Sequence, residues 1–490
     1  MCNRGKNIVM NPIYNPYLPS WEFVPDGEPH IFNDRLYIYG SHDRYGGDNY
    51  CEAHYTVWSA PLEDLSDWTC HGMSYDAKDD PHNETKKRRM FAPDVVENKG
   101  KYYLYYGLDD SKYISVASAD CPEGPFTYYG TVHYPDGTEW SDREGDTNCF
   151  DPGVFKDDDE KIYLYSGFSF TQEVAKRIQA KMKAEGIKEE LAINTKGSMV
   201  AELEEDMLTI KGNPKPLLPG ESNAPGTGFE GHEFFEASSM RKFDGWYYAI
   251  YSSSNGHELC YAMSRYPDRG FEYKGVLHSN GNLGVSEEPQ FDYGNNHGSI
   301  EKIGNDFYVF GHRHTKDTQY QRQGVAERLY RNPDGTFDQA MMTSQGLYGK
   351  PLPTTQSYPA YITCYLVGPN GAGRQDEKFK DLSRPQILLE NKIGYVSCFA
   401  KGTQVGYRYF EMQQDTYIGV KVRANQKSKL YIKATPTAEP FASIQIQASP
   451  IPVVFWADQP YSKSKAEVYF ETAEDGKLDL FEIVFKEKIK

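Results

Sequence analysis

Apolar and polar positions alternate in short stretches along the first two thirds of the chain, and tight polar turns separate these stretches. In the segment 229–254, Glu236 precedes an apolar run, Asp244 and Gly245 form a turn, and a tyrosine-rich run follows. An Asp-Gly pair between two alternating runs predicts a β-hairpin. The pattern therefore places a carboxyl where the first strand of a hairpin begins.

This layout occurs five times, each time as an approach strand, a turn, a tyrosine-rich strand and a third strand. The approach strands contain Glu28, Ala92, Asp151, Glu236 and His297. One such unit cannot bury both of its faces, whereas units arranged radially cover one another, as in a propeller. The repeats predict an all-β chain that begins with a five-bladed β-propeller over residues 1–350. A β-sandwich with long loops is the alternative.

The pattern changes after about residue 360, where the tyrosine hairpins stop and short alternating strands follow at regular spacing. Such strands are typical of a β-sandwich, so we expect a jelly-roll-like sandwich domain over residues 360–490. One segment, 171–192, has a different period: Val174, Ile178 and Met182 follow at four-residue steps. This spacing predicts an amphipathic helix inserted in the propeller.

The net charge of −17 narrows the classes of partner. A nucleic acid or an anionic membrane requires clustered Lys and Arg, so neither is expected, and a neutral small molecule or oligosaccharide is favoured. The chain has no run of about 18 apolar residues, and its first residues lack the apolar centre of a secretory signal. We expect a cytoplasmic protein, although a secreted chain trimmed of its signal would look the same.

Cysteine and aromatic usage add two expectations. The eight cysteines form no Cys-x-x-Cys pair, which favours free structural thiols over disulfides or a metal site. Aromatic residues make up 14% of the chain, and tyrosine alone accounts for 39 residues. Aromatic rings with a polar edge suit β-strands, which explains most of them, and they also suit the faces of sugar rings.

Acidic residues share one register at the starts of the approach strands. Glu28, Asp151 and Glu236 would converge on one pocket, and Asp26 lies two residues before Glu28 on the same strand face. Convergent carboxyls raise one another's pKa values. Hydrolysis of a glycosidic bond uses such a set, because one protonated acid donates to the leaving oxygen while an ionised carboxylate activates water or attacks carbon. The alternative is that these acids bind Ca²⁺.

Residues of about 10–345 resemble glycoside hydrolase family 43. The resemblance rests on five motifs: MFAPDVV at 90–96, FDPGVF at 150–155, FFEASSMRK at 234–242, HGSIEKI at 297–303 and FGHRHT at 310–315. It implies that Glu236 is the general acid, that Asp151 tunes the pKa of Glu236, and that hydrolysis inverts the anomeric configuration. It implies no cofactor for the chemistry.

The general base is less clear, because this sequence departs from the family pattern. The family usually has Asp-Pro in the first approach strand, and this chain has Asp26-Gly27-Glu28-Pro29 instead. The register favours Glu28, whereas the residue type favours Asp26. Both remain candidates.

The resemblance also suggests residues around the acids. His297 is similar to an axial histidine that accompanies a structural Ca²⁺ in the propeller channel, although a lone histidine is more often a hydrogen-bonded core residue. Arg313 is similar to an arginine near the substrate, with a surface salt bridge as the alternative. His42, Asp43 and Phe91 are placed near the pocket only by their proximity to strand ends.

In the C-terminal part, GYRYF at 406–410 and TYIGVKVR at 416–423 resemble carbohydrate-binding module family 6, whose members often serve to buttress the propeller. The expected function is an exo-acting, inverting glycosidase that releases terminal α-L-arabinofuranose or β-D-xylose from plant-type oligosaccharides. A β-D-galactofuranosidase is the alternative among enzymes. A sugar-binding propeller without activity and a structural propeller for protein partners are the alternatives outside them. The oligomeric state is not indicated.

Overall fold

A computed structural model describes residues 7–8, 13–184, 194–316, 318–375, 383–398, 400–413, 415–461 and 464–487. The chain is all-β, with one α-helix, α1 (Gln172–Ala184), among the described residues. This helix lies within the segment predicted to be helical, and the rest of that segment, from residue 185, lies outside the described residues. No described helix has the length and apolar character needed to cross a membrane.

Five antiparallel sheets follow one another in the first part of the chain. The first contains β1 (Asn7–Ile8), β2 (Glu28–Phe32), β3 (Arg35–Tyr39), β4 (Tyr55–Pro61) and β5 (Thr69–Tyr75). The second contains β6 (Asp94–Asn98), β7 (Lys101–Gly107), β8 (Ile114–Ala119) and β9 (Thr127–Thr131). The third contains β10 (Gly153–Lys156), β11 (Ile162–Ser166), β12 (Gly197–Leu203) and β13 (Ile210–Pro219), with α1 between β11 and β12.

The fourth sheet contains β14 (Phe234–Phe243), β15 (Trp246–Ser253), β16 (Glu258–Ser264) and β17 (Glu272–Ser279). The fifth contains β18 (Ile300–Ile303), β19 (Asp306–His314) and β20 (Arg322–Leu329). Strands pair in chain order in all five sheets, and in the first sheet β1 adds to the outer edge of β5. The first strand of each predicted repeat is therefore an edge strand of its sheet.

Two larger sheets make up the rest of the chain. Their strands are β21 (Leu352–Pro353), β22 (Tyr358–Pro359), β23 (Tyr365–Val367), β24 (Gln386–Glu390), β25 (Ile393–Cys398), β26 (Gln404–Glu411), β27 (Thr416–Ala424), β28 (Ser428–Lys433), β29 (Ala442–Ile446), β30 (Ser449–Trp456), β31 (Lys465–Thr472) and β32 (Leu478–Glu487). One sheet has the order β21-β26-β31-β28-β29 with β23 beside β26; the other has the order β24-β25-β32-β27-β30 with β22 beside β32. Three short 3₁₀ helices are described, at Ala77–Asp79, Gly346–Tyr348 and Ala360–Ile362.

Tyrosines on β3, β7, β11 and β15 connect each of the first four sheets to a loop of the next repeat. The hydroxyl of Tyr39 in the first sheet donates to the carbonyl of Pro122 in the second, at 2.7 Å. The same relation joins Tyr105 to Met207, Tyr165 to Pro267 and Tyr248 to Gly335, at 2.7, 3.0 and 2.8 Å. A buried phenol needs an acceptor for its hydroxyl, and the neighbouring sheet supplies one each time. The tyrosine repeats in the sequence are therefore contacts between sheets.

The first and fifth sheets also meet, through a parallel bridge between Gly27 and Gly298. Sheets three and four approach each other closely at Gly153, where a Cβ atom would lie 2.3 Å from the carbonyl oxygen of Ser238. Only glycine allows this contact, because a side chain would collide with backbone. These contacts bring the beginnings of the inner strands together.

A buried ion pair joins the first and fourth sheets beneath these strand starts. Arg241 on β14 donates to a carboxylate oxygen of Glu28 at 2.9 Å and to the carbonyl of Pro29 at 2.7 Å. We expect Arg241→Leu to lower the free energy of unfolding by about 3–5 kcal/mol, because it leaves the Glu28 carboxylate buried without its partner. Urea unfolding measures the change. Arg265→Leu, at an exposed position directly after β16, removes only surface contacts with Trp246 and the Gly245 carbonyl and should cost about 1 kcal/mol or less. Equal losses for the two variants would contradict the assignment.

Candidate active site

The beginnings of the inner strands surround a cavity of about 600 Å³. It is lined by one residue in or just before the inner strand of each of the five sheets: Asp26, Ala92, Asp151, Glu236 and His297. Asp26, Ala92 and Asp151 each lie two residues before the first residue of β2, β6 and β10. The predicted convergence of acids on one pocket is therefore present for Asp26, Asp151 and Glu236.

The backbone at these acids is unusual. Asp26 has φ 56°, Asp151 has φ 43°, and Ala237, directly after Glu236, has φ 67°. Aspartate tolerates this left-handed region better than most residues, whereas alanine adopts it only when the surroundings enforce it. The pairing of β14 with β15 also shifts in register on both sides of Glu236. Such local strain is common where a side chain must be aimed at a functional site.

Asp26 is held as a carboxylate. Arg322 Nη1 lies 2.9 and 3.2 Å from its two oxygens, and His312 Nδ1 lies 3.2 Å from Oδ1. Burial alone would raise the pKa of Asp26, but Arg322 and His312 favour the charged form and together hold this pKa well below its ordinary value. Asp26 is therefore ionised at any pH at which the protein would be assayed.

Glu236 has the opposite protonation state. Burial, and then the nearby Asp151 carboxylate, raise the pKa of Glu236 to about 8. Asp151 accepts a hydrogen bond from the backbone amide of Ala237, and its Oδ2 lies 3.4 Å from His297 Nδ1. Burial lowers the pKa of His297, but Asp151 outweighs this effect and raises it to about 9. At neutral pH Glu236 is thus a protonated carboxyl and Asp26 is a carboxylate of the same cavity.

Arg322 was not recognised in the sequence, although it connects several parts of the site. Its Nε and Nη2 both donate to the carboxylate of Asp43, each at 2.9 Å, while Nη1 reaches Asp26. This two-pronged contact fixes the plane of the guanidinium. Asp43, predicted to line the pocket, instead lies behind Arg322 and orients it. No short motif surrounds Arg322, and only the pairing of β20 with β19 brings it to the cavity.

Glu28, the other candidate base, lies one layer below the cavity and does not line it. It is 1% exposed and accepts hydrogen bonds from Ser239 Oγ and Arg241. The predicted register equated Glu28 with Asp151, but the strand starts equate Glu28 with Gly153. The two-residue difference places Asp26, and not Glu28, beside Asp151.

Two predicted substrate contacts also lie elsewhere. The guanidinium of Arg313 is buried and donates to the carbonyls of Tyr361 and Thr363, at 2.7 and 2.9 Å. Arg313 therefore anchors β19 of the fifth sheet to residues 361–363, at the start of the C-terminal part of the chain. His42 is bonded to the His54 carbonyl at 2.8 Å and does not line the cavity.

Phe91, in contrast, lines the cavity as predicted, within a row of four phenyl rings. Phe91, Phe150, Phe168 and Phe235 all line it, with successive ring centroids 5.2, 5.0 and 5.1 Å apart. Polar side chains complete the wall, among them Tyr50, Asn148, Asn295 and Gln319. Apolar ring faces beside a few hydrogen-bonding groups suit a sugar, which has both C–H faces and hydroxyls.

A cation at His297 was also predicted from the sequence. Among the described residues, the groups of side chains close enough to share a metal ion are Glu28, His30 and Asp94, and His232, Glu258 and Cys260. His297 belongs to neither group, and its raised pKa makes it a cation itself. It would have to lose its proton before it could bind a metal. The cation near His297 therefore stays a prediction, and it would require the neutral form of this histidine.

A half-buried acid that keeps its proton, a buried carboxylate and an aromatic wall in one cavity are the features of a glycoside hydrolase. The sequence model described as glycosyl hydrolases family 43 matches residues 13–337. The chain belongs to glycosyl hydrolases family 43.

Known proteins of similar sequence and structure agree with this assignment. The chain is 40% identical over 485 residues to a xylosidase/arabinosidase of Thermoclostridium stercorarium. This alignment covers 95% of this chain and 97% of that protein. It is 31% identical over 337 residues to a beta-xylosidase of Xylanibacter ruminicola, covering 64% of this chain and 96% of that protein. A solved beta-xylosidase/alpha-arabinofuranosidase from a compost microbial metagenome, in complex with xylotriose and in a calcium-free form, matches with a TM-score of 0.51 at 27% identity, over 67% of this chain and 97% of that one.

Proposed function

We propose that this enzyme is an exo-acting, inverting glycosidase that releases terminal β-D-xylose or α-L-arabinofuranose from plant-type oligosaccharides. The observation that carries the proposal is the pair of opposed pKa shifts in one cavity, upward for Glu236 and downward for Asp26. The sugars are supported by the names of its relatives, xylosidase/arabinosidase and beta-xylosidase.

In the proposed reaction, Glu236 donates its proton to the glycosidic oxygen as the bond to the terminal sugar breaks. Asp26 accepts a proton from a water molecule, which attacks the anomeric carbon from the opposite face and inverts it. Asp151 keeps the pKa of Glu236 high through its nearby carboxylate. Arg322 keeps Asp26 ionised and orients it through the contact with Asp43.

The fold proposed for this chemistry is a five-bladed propeller followed by a β-sandwich. The tyrosine bonds from each of the first four sheets to the next repeat, and the bridge between Gly27 and Gly298, support a ring of five sheets around the cavity. A ring of this kind covers both faces of every sheet.

The two larger sheets enclose one cluster of buried apolar side chains, which supports a sandwich over residues 360–490. We propose that this part is similar to a carbohydrate-binding module of family 6. The buried anchor at Arg313 supports a buttressing role for it.

A comparison of three substrates tests the proposed specificity. We expect hydrolysis of nitrophenyl β-D-xyloside, α-L-arabinofuranoside or both, and little hydrolysis of the β-D-galactofuranoside. Activity mainly on the galactofuranoside would contradict the proposed sugars while leaving the acid and base in place. Binding of xylotriose without hydrolysis of any of the three would instead indicate a sugar-binding propeller.

The pH dependence of kcat/KM follows from the two pKa shifts. Glu236 must be protonated to act, so kcat/KM should fall as the pH rises through about 8. Asp26 must be ionised, and its lowered pKa moves the acidic limb below the ordinary carboxyl range. We expect a plateau from weakly acidic to neutral pH when rates on nitrophenyl β-D-xyloside are measured across buffers. A decline that begins near pH 5 would contradict the raised pKa of Glu236.

A further inference from the structure

One arginine of the cavity wall comes from the chain after the region that the family model matches. Arg374 lies in the loop between β23 and β24 and lines the same cavity as Asp26 and Glu236. The match to the family ends at residue 337. The alignment with the Xylanibacter beta-xylosidase covers 96% of that protein but only 64% of this chain. Arg374 therefore reaches the cavity from the part of the chain that follows the family match.

The loop that carries Arg374 is fixed on both sides of this residue. The backbone amide of Gly373 donates to Asp292 Oδ1 at 2.9 Å, and Gln375 Nε2 donates to Asp292 Oδ2 at 3.0 Å. The amides of Tyr293 and Gln375 donate to the carbonyls of Gly373 and Tyr293, at 3.1 and 2.6 Å. Residues 292–293 lie a few positions before Asn295 and His297, which both line the cavity. The position of Arg374 is thus tied to the wall itself.

Arg374 lies on the side of the cavity where the general acid is. Glu236 pairs with Ser252 on β15, and the turn that follows contains Gly256, which also lines the cavity. A Cβ atom at Gly256 would lie 3.1 Å from Nη2 of Arg374, so the guanidinium lies against this turn. A general acid protonates the leaving-group oxygen, and the leaving-group sugar must therefore lie on the same side.

The three arginines in the cavity wall differ in their partners. Arg322 is paired with Asp26 and Asp43, and Arg89 with Asp109. Among the described residues, no carboxylate is found within ion-pair distance of Arg374, and its side chain is exposed where it lines the cavity. Its fork of donors is thus available to oxygen atoms of a bound molecule.

We propose that Arg374 binds the leaving-group sugar of an oligosaccharide substrate through that sugar's hydroxyl oxygens. This inference rests on the proposed function and adds to it a residue that selects oligosaccharides over single glycosides. The terminal sugar, held deeper beside Asp26 and Asp151, does not depend on Arg374.

Kinetics of Arg374→Ala on xylobiose and nitrophenyl β-D-xyloside test the proposal. We expect kcat/KM on xylobiose to fall about 10- to 100-fold, because a charged hydrogen-bond donor to the leaving sugar is lost. The rate on the nitrophenyl glycoside, whose leaving group has no hydroxyls, and the inhibition constant of free xylose should change less than about threefold. Arg374→Lys should recover part of the xylobiose rate, because one donor remains.

Two further measurements determine whether the effect of Arg374 is confined to the leaving-group sugar. Arg269→Ala removes an exposed arginine that does not line the cavity and should leave both rates unchanged. Xylotriose binding to Glu236→Gln, with and without Arg374→Ala, gives a measurement that does not depend on turnover; we expect about tenfold weaker binding in the double variant. Equal losses on xylobiose and on the nitrophenyl glycoside, or unchanged xylotriose binding, would overturn the role of Arg374. A wild-type enzyme that hydrolyses neither substrate would overturn the proposed function instead.

Discussion

Glu236→Gln is expected to lower kcat on xylobiose by about 10²–10⁴-fold. Glutamine has nearly the same shape, but it cannot donate the proton that the leaving oxygen needs. The kcat of the variant on a 2,4-dinitrophenyl glycoside should fall much less, because that leaving group departs without protonation. The measurement is the ratio of the two losses, which reports proton donation and is insensitive to general damage to the cavity.

Glu327→Gln is a matched control for this variant. Glu327 is buried, and burial raises its pKa to about 8 as for Glu236, but it binds Asn15 and Thr343 away from the cavity. We expect Glu327→Gln to change the free energy of unfolding while kcat stays within about twofold, because it removes no group that reaches the substrate. Similar losses for Glu236→Gln on both leaving groups would show that Glu236 is not the proton donor.

Asp26→Asn is expected to lower kcat by about 10²–10⁴-fold on good and poor leaving groups alike. Asparagine retains contacts to Arg322 but cannot accept a proton from the attacking water. Since water must attack whatever the leaving group is, kcat should fall by a similar factor on both substrates. This pattern differs from that of Glu236→Gln and separates the base from the acid.

Glu28→Gln is the comparison that decides between the two candidate bases. Glu28 lies below the cavity and is paired with Arg241, so its substitution should mainly lower stability. We expect its kcat to stay within about tenfold of the wild-type value at a temperature where it is folded. A loss for Glu28→Gln as large as that for Asp26→Asn, without a change in unfolding, would contradict the assignment of the base.

The sheet organisation was accessible from the sequence because its causes are local. Alternation of side chains and tight polar turns, with Lys-Gly and Asp-Gly at two of the five, predict each hairpin within a few residues. The sequence shows the tyrosines as a repeat, but it does not show which carbonyl groups their hydroxyls bind. Tyr105 bonds to the Met207 carbonyl in another sheet, and no pattern along the chain indicates that pairing.

The site was accessible only in part, because register and side-chain direction depend on distant contacts. Glu28 and Asp26 differ by two positions, and the choice between them follows from where β2 starts and from the ion pair with Arg241 on another sheet. Arg313 lies in a family-like motif, yet its carbonyl partners lie about fifty residues further along the chain. Arg322 and Arg374 reach the cavity from segments without a recognisable motif.

The stereochemistry of hydrolysis tests the central claim most directly. Proton NMR of a β-xyloside reaction at early times identifies which anomer of xylose forms first. If Glu236 protonates the leaving group while Asp26 activates water across the same cavity, α-xylose appears first and then equilibrates. Initial formation of β-xylose would require a carboxylate to attack the sugar itself, and it would contradict the roles given to both residues.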